Sequence, residues 1–240
     1  MSSTALSDAT GPRRLSERDA HVLLLLGLTL ATGAVDAVSY FSLDHVFTAN
    51  MSGNMALLGV GVATSIHDVA GNVYAFIGFV TGAILTGRFV RAHDHWPLRT
   101  VTRGLAVELV LLIGLAIVAG VADVPGDKAV RFSVCFVLAA AMGLQTGLAR
   151  HLAVQDVNTT VATMTLHDLA AASKLAGGDS VRWKRRAGVV FALFAGAAIG
   201  VGCDRIVPWG GLAFTAGVVA LIMVLTAKAA RIYDPPRRSA

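Results

Sequence analysis

Six stretches of this chain carry almost no charge: Val22 to Leu43, Ala70 to Gly87, Gly104 to Ala122, Phe132 to Ala149, Ala187 to Cys203 and Pro208 to Ala227. At about 1.5 Å per residue, each can cross a hydrocarbon core of about 30 Å as a helix, some with help from flanking residues. The expected fold class is an all-α polytopic membrane protein. Composition agrees, since 55% of the residues are hydrophobic and 15% charged, with a mean hydropathy of +0.67. A soluble domain of this size is not so apolar.

The net charge of +5 does not point to nucleic acid, because the basic residues lie between the apolar stretches. They order the topology instead. With six crossings and both termini in the cytoplasm, only Lys128, Arg131 and Arg205 of the 20 Lys and Arg residues face outward. With eight crossings, Arg88, Arg91, Arg99 and Arg103 would also lie outside, against the rule. Residues 1–20 read as a polar cytoplasmic tail and 231–240 as another. Cys135 and Cys203 fall in spans and read as small packing residues.

Two polar-headed segments are left over. FTANMSGNMALLG, Phe47 to Gly59, sets Thr48, Asn50, Ser52, Gly53 and Asn54 before an apolar run too short to span. NTTVATMTLHDL, Asn158 to Leu169, repeats the idea. Asp44 to Ala49 would reach about 20 Å extended and Asn50 to Ala63 about 21 Å as a helix. Those are the lengths of a chain that dives to mid-membrane and returns as a half-helix. Leu152 to Asn158, followed by Thr159 to Ala172, has the same proportions. The first segment is expected to re-enter from outside and the second from the cytoplasm; short interfacial helices are the alternative.

The two halves also align. GAVDAVSYFSL at Gly33 falls on GLQTGLARHLA at Gly143, with Asp36 opposite Thr146, and Asn50 to Asn54 falls on Val161 to Thr165 after a one-residue shift. Gly82-Ala83 matches Gly196-Ala197. The expected organisation is six transmembrane helices plus two short re-entrant or half-helices, in two inverted-topology repeats at 21–123 and 129–230. Broken helices in inverted repeats are the architecture of many secondary transporters, with sites at the midplane.

The residues TGAVDAVSYFSLDHVFTANMSGN and GLQTGLARHLAVQDVNTTVATMTLHDL resemble the YoaK-type family of bacterial membrane proteins, a domain of unknown function. The resemblance runs from Leu23 to Leu225. It implies a bacterial inner membrane location and a bundle of about six spans, and it supplies no substrate. Thr146 stands where the resemblance leads one to expect Asn, and Met164 where it leads one to expect Gly.

Asp36 is the only acid that the apolar windows put well inside a span. An intramembrane carboxylate costs about 2.5 to 3.5 kcal/mol even on lenient scales and marks an ion or proton pathway. Glu108, five residues beyond Arg103, is expected near the cytoplasmic interface or paired with the arginines there. Gln145 reads as interhelical glue or a ligand group. The starts of the two half-segments offer free N–H groups and a positive dipole end, although Ser, Thr and Asn are also ordinary N-caps. The candidate substrate-binding set is Asp36, Asn50, Ser52, Gly53, Asn54, Gln145, Thr160 and Thr163. His45, His67, His93 and His95 fall in loops and show no metal-ligand spacing, and His167 and Asp168 read as interfacial.

No phosphate-cradling loop, Ser/His/Asp order or metal cluster is visible, so neither an enzyme nor a cofactor is expected. The leading expectation is a secondary transporter or permease of a small polar or anionic solute, with proton coupling at Asp36. A passive channel and a non-transporting scaffold or accessory subunit remain alternatives. The expected partners are the lipid bilayer and a small solute, with no nucleic acid; a homodimer is left open.

Overall fold

The computed structural model describes residues 17–64, 69–92, 97–152, 162–179 and 183–233. These form eight α-helices: α1 Glu17–Ser42, α2 Met51–Thr64, α3 Ala70–Ala92, α4 Pro97–Val121, α5 Lys128–Leu152, α6 Ala162–Ala171, α7 Trp183–Ile206 and α8 Gly210–Tyr233. Among them α1, α3, α4, α5, α7 and α8 are long and apolar enough to cross a membrane, whereas α2 and α6 are too short. Most of the two polar tails, Thr160, and His67, His93 and His95 lie outside the described residues.

Each long helix overruns its apolar window at one end or at both. Charge stops a hydrophobic window but does not stop a helix, since Lys and Arg are good helix formers. Pro97 opens α4 in the first helical position, where its missing N–H costs nothing. That moves the start of the helix seven residues ahead of Gly104. Glu108 therefore falls near the middle of a 25-residue helix and not at its end. Asp127 caps α5, its Oδ1 accepting the amides of Ala129 at 2.8 Å and Val130 at 3.3 Å.

Outward faces carry the large apolar side chains that lipid would solvate, such as Val110 and Ile117 on α4, Phe191 and Phe194 on α7, and Ile77 and Leu85 on α3. The buried core lies where α1, α4, α5 and α8 meet. Threonines inside it are self-satisfied: Thr29, Thr32, Thr215 and Thr226 each donate to the carbonyl four residues back, at 2.8 to 2.9 Å.

Helix α3 packs along α5, and α7 packs along α1. Small residues set both contacts, because without a water-driven force between helices close backbone approach supplies the attraction. A side chain at Gly82 would strike the Ala140 carbonyl, and one at Gly143 would strike the Phe79 carbonyl. On the other side, Gly196 abuts the Leu30 carbonyl and Gly33 the Leu193 carbonyl. In both pairs a glycine and a carbonyl three residues apart on one helix meet a carbonyl and a glycine three residues apart on the other.

Helices α4 and α8 also pack together. The buried stripe on α4 is Leu98, Val101, Leu105, Glu108, Leu112 and Leu115; on α8 it is Leu212, Thr215, Val219, Ile222, Thr226 and Ala229. The spacing alternates three and four in the same order on both helices, as a seam between helices requires. Glu108 holds the place that Ile222 holds on α8. Helix α2 packs on α3 and α6 on α7.

Candidate functional site

Beyond α1 the chain reverses at Asp44 and His45, at φ values of 61° and 62°. Two successive non-glycine residues in the left-handed region are uncommon, and the turn is held from both sides. Asp44 faces Arg131, near the start of α5, at 3.8 Å. His45 lies edge-on to Tyr40, which stacks on Phe47 at 5.0 Å.

Past this turn the chain runs back along α1. Val46 packs against Gly71 in the first turn of α3. Asp36 Oδ1 then accepts the backbone amides of Thr48 at 3.1 Å, Ala49 at 2.7 Å and Asn50 at 3.2 Å. Asp36 lies six residues before Ser42, about 9 Å in from the end of α1. Buried Thr48 donates its hydroxyl to Ser39 at 3.4 Å.

Asn50 is the N-cap of α2: its Oδ1 accepts the Gly53 amide at 3.2 Å and the Ser52 hydroxyl at 2.8 Å. Phe47 packs against Gly53 from the other side, where there is no room for a Cβ. Asn54 is fully buried. Its Oδ1 accepts the Phe47 amide at 2.9 Å and the Asn72 side-chain amide at 3.2 Å, and its Nδ2 donates to the Phe47 carbonyl. A buried amide is tolerated only when so paired.

The structure thus brings Asp36, Asn50, Ser52, Gly53 and Asn54 together at the head of α2. Asn54 is committed inside the fold, whereas Asn50 and Ser52 are exposed. The arrangement also limits the chemistry. Asp36 takes the three amides that lead into α2 and Asn50 takes that of Gly53, so a carboxylate of the chain itself already sits beside this helix start.

On the second half, Thr163 is exposed near the head of α6 and Thr165 is buried. Gln145 ties α5 to α1, its Nε2 donating to Thr32 Oγ1 at 2.8 Å and to the Leu28 carbonyl at 3.2 Å, while its Oε1 is buried and has no partner among the described residues. Among the described residues no cluster of His, Cys, Asp and Glu could hold a metal.

Sequence reading misplaced Glu108. It is fully buried, neither carboxylate oxygen has a hydrogen-bond partner among the described residues, and it is not at an interface beside arginines. The signal was present: Leu98, Val101, Leu105, Leu112 and Leu115 form a stripe in which Glu108 is the one charged member. Reading the window edge as the helix edge concealed it.

Where α1 and α7 end and α5 and α8 begin, a cavity of about 180 Å³ opens, lined by Ser39, Ser42, Asp204, Val134, Leu138 and Leu212. Ser42 donates to Asp204 Oδ2 at 2.9 Å. Toward the opposite end of the bundle, buried Leu24, Leu98, Leu105 and Leu148 fill the core.

Comparison with known proteins adds a family. Residues 24–225 match the family model DUF1275, described as a protein of unknown function. Over 150 residues the chain is 37% identical to the "UPF0700 transmembrane protein YoaK" of Bacillus subtilis strain 168, a match covering 61% of this chain and 64% of that relative's length. No solved structure matches. With a transmembrane relative, six apolar helices and the family match spanning most of its length, this chain is a multi-pass membrane protein that belongs to the DUF1275 family of proteins of unknown function.

Proposed function

We propose that this protein is a secondary transporter of a small polar solute, built from two inverted-topology repeats in a bacterial inner membrane with both termini cytoplasmic. The observation that carries this reading is the reciprocal glycine–carbonyl pairing, Gly82 and Gly143 with α3 on α5, repeated by Gly196 and Gly33 with α7 on α1. The matched stripes of α4 and α8 support it. Each repeat has three crossings, an odd number, so the second copy runs in the opposite sense. The crossings are α1, α3 and α4, then α5, α7 and α8.

In this reading α2 and α6 are the half-helices of the two copies. Support for re-entry comes from register: residues 44, 46 and 49 meet Arg131, then Gly71 beside Cys135, then Asp36, each contact farther from the end of the bundle. Irregular backbone at that depth is stable only where protein or a wet cavity surrounds it. Asp36 fastens it there. On this reading the exposed Asn50 and Ser52 at the head of α2 are the solute-contacting residues, with exposed Thr163 near the head of α6 as their counterpart in the second copy. Because Asp36 occupies the helix-start amides, polar uncharged or cationic solutes suit the site better than anions.

A transporter is favoured over a passive channel because the bundle has a cavity at one end and a leucine plug at the other. The test is uptake by purified protein in proteoliposomes, with a panel of amino acids, polyols, small amines and carboxylates. Saturable uptake above protein-free vesicles is expected for at least one polar solute. Absence of uptake across the panel, with a stoichiometric membrane partner copurifying, would make the protein an accessory subunit.

A further inference from the structure

Glu108 has a setting unlike that of any other acid among the described residues. Its side chain is fully enclosed, and both carboxylate oxygens lack a hydrogen-bond donor within the described residues. Three contacts fix its level. Gly104, one turn away on α4, lies against Leu148 of α5. Gln145, one turn back along antiparallel α5, bonds to Leu28 and Thr32 of α1. Gly27 of α1 lies against Ile222 of α8. Glu108, Gln145, Leu28 and Ile222 therefore share one layer at the centre of the four-helix core.

That layer offers no countercharge. Helix α5 from Phe132 to Ala149 and α8 from Gly210 to Ala227 contain no charged residue, and neither does α1 from Val22 to Val35. On α4 itself Arg103 is exposed on another face, and the other titratable groups of the core helices stand off this layer. Cys135 sits about three turns away on α5, by Gly71 of α3. Asp36 is engaged by three amides, Lys128 and Arg131 lie in the first turn of α5, and His21, Arg150, His151, Lys228 and Arg231 lie more than a turn away along their helices. A lone carboxylate cannot be stabilised there, so a proton or a cation must accompany it. Packing alone does not require the group, since Ile222 fills the matching place on α8.

We infer that Glu108 is a membrane-embedded proton-binding site, with Gln145 Oε1 beside it as an acceptor for the carboxyl proton. Resting on the transport reading, it is also the group whose protonation couples to solute movement. A proton is a better fit than a metal cation because the Leu28 carbonyl and Thr32 hydroxyl of this layer already accept from Gln145, which leaves one amide oxygen beside the carboxylate, short of the oxygen shell that a metal gathers.

Labelling with the hydrophobic reagent N,N′-dicyclohexylcarbodiimide tests this without any solute. The acid proton moves to a carbodiimide nitrogen and the carboxyl oxygen adds to the central carbon; acyl migration to nitrogen then leaves a stable acylurea with nothing expelled. Mass spectrometry of the purified protein in lipid is expected to find the adduct on Glu108, falling as pH rises and absent in Glu108→Gln. Glu108→Ile is expected to purify as a monodisperse protein that melts no lower than the parent. No adduct at any pH, an adduct on Asp36 in place of Glu108, protection by Na⁺ or K⁺ at constant pH, or a Glu108→Ile that fails to fold each overturns the assignment. The two readings separate cleanly. An adduct without uptake of any solute keeps the proton site and removes transport, while uptake without an adduct keeps transport and removes Glu108.

Discussion

The Ala49 amide donates to Asp36 Oδ1 at 2.7 Å, the shortest of three bonds that pin the approach to α2 against α1. The carboxylate thereby takes the place of water on these amides, and a charged acceptor strengthens each bond.

Removing that oxygen should release the head of α2. Asp36→Ala is expected to cost about 2 to 4 kcal/mol, and Asp36→Asn, which keeps one acceptor without the charge, about half as much. Thermal unfolding in detergent measures both, and equal melting of all three proteins would show that the bonds hold nothing.

Asn54 holds the same turn from the other side through Phe47 and Asn72. Asn54→Leu leaves the Phe47 amide and the Asn72 side chain without partners, at about 1 to 3 kcal/mol. Asn72→Ala gives up only the single 3.2 Å bond and should cost less. The order of the two melting shifts is the check.

The glycine contacts predict parity between the halves. Gly82→Ala and Gly196→Ala each push a methyl into a carbonyl that cannot move aside, and each should cost about 1 to 3 kcal/mol or more. Gly114→Ala and Gly217→Ala meet nothing and should be neutral or stabilise by up to about 1 kcal/mol. Melting temperatures of the four variants test this, and a large cost in only one of Gly82 and Gly196 would break the correspondence.

Gln145 and Thr32 should couple modestly. Interhelical hydrogen bonds in membranes average about 0.6 kcal/mol in double-mutant cycles. A cycle of Gln145→Leu and Thr32→Val is expected near that value, since the Leu28 carbonyl retains part of the amide's bonding.

Much of this architecture was legible in the sequence because lipid imposes a simple code. Uncharged runs of span length became α1, α3, α4, α5, α7 and α8, and the short polar-headed runs became α2 and α6. The alignment of Gly33 with Gly143 and of Gly82 with Gly196 picked out residues that make matching contacts. Side-chain commitments were hidden. Asn50, Ser52 and Asn54 look alike in the motif, yet Asn54 is buried in a hydrogen-bonded turn and the other two are exposed. Glu108 was misjudged because its distance from Arg103 was read along the chain, whereas burial depends on which face of α4 it shares with Leu105 and Leu112.

The claim that α2 and α6 belong to two inverted halves is tested most directly by thiol accessibility. In a background with Cys135 and Cys203 replaced by alanine, Asn50→Cys and Thr163→Cys are exposed one at a time to a membrane-impermeant thiol reagent in oriented vesicles. The account predicts that position 50 reacts only from the outer side and position 163 only from the cytoplasmic side. Reaction of both positions from the same side would contradict it.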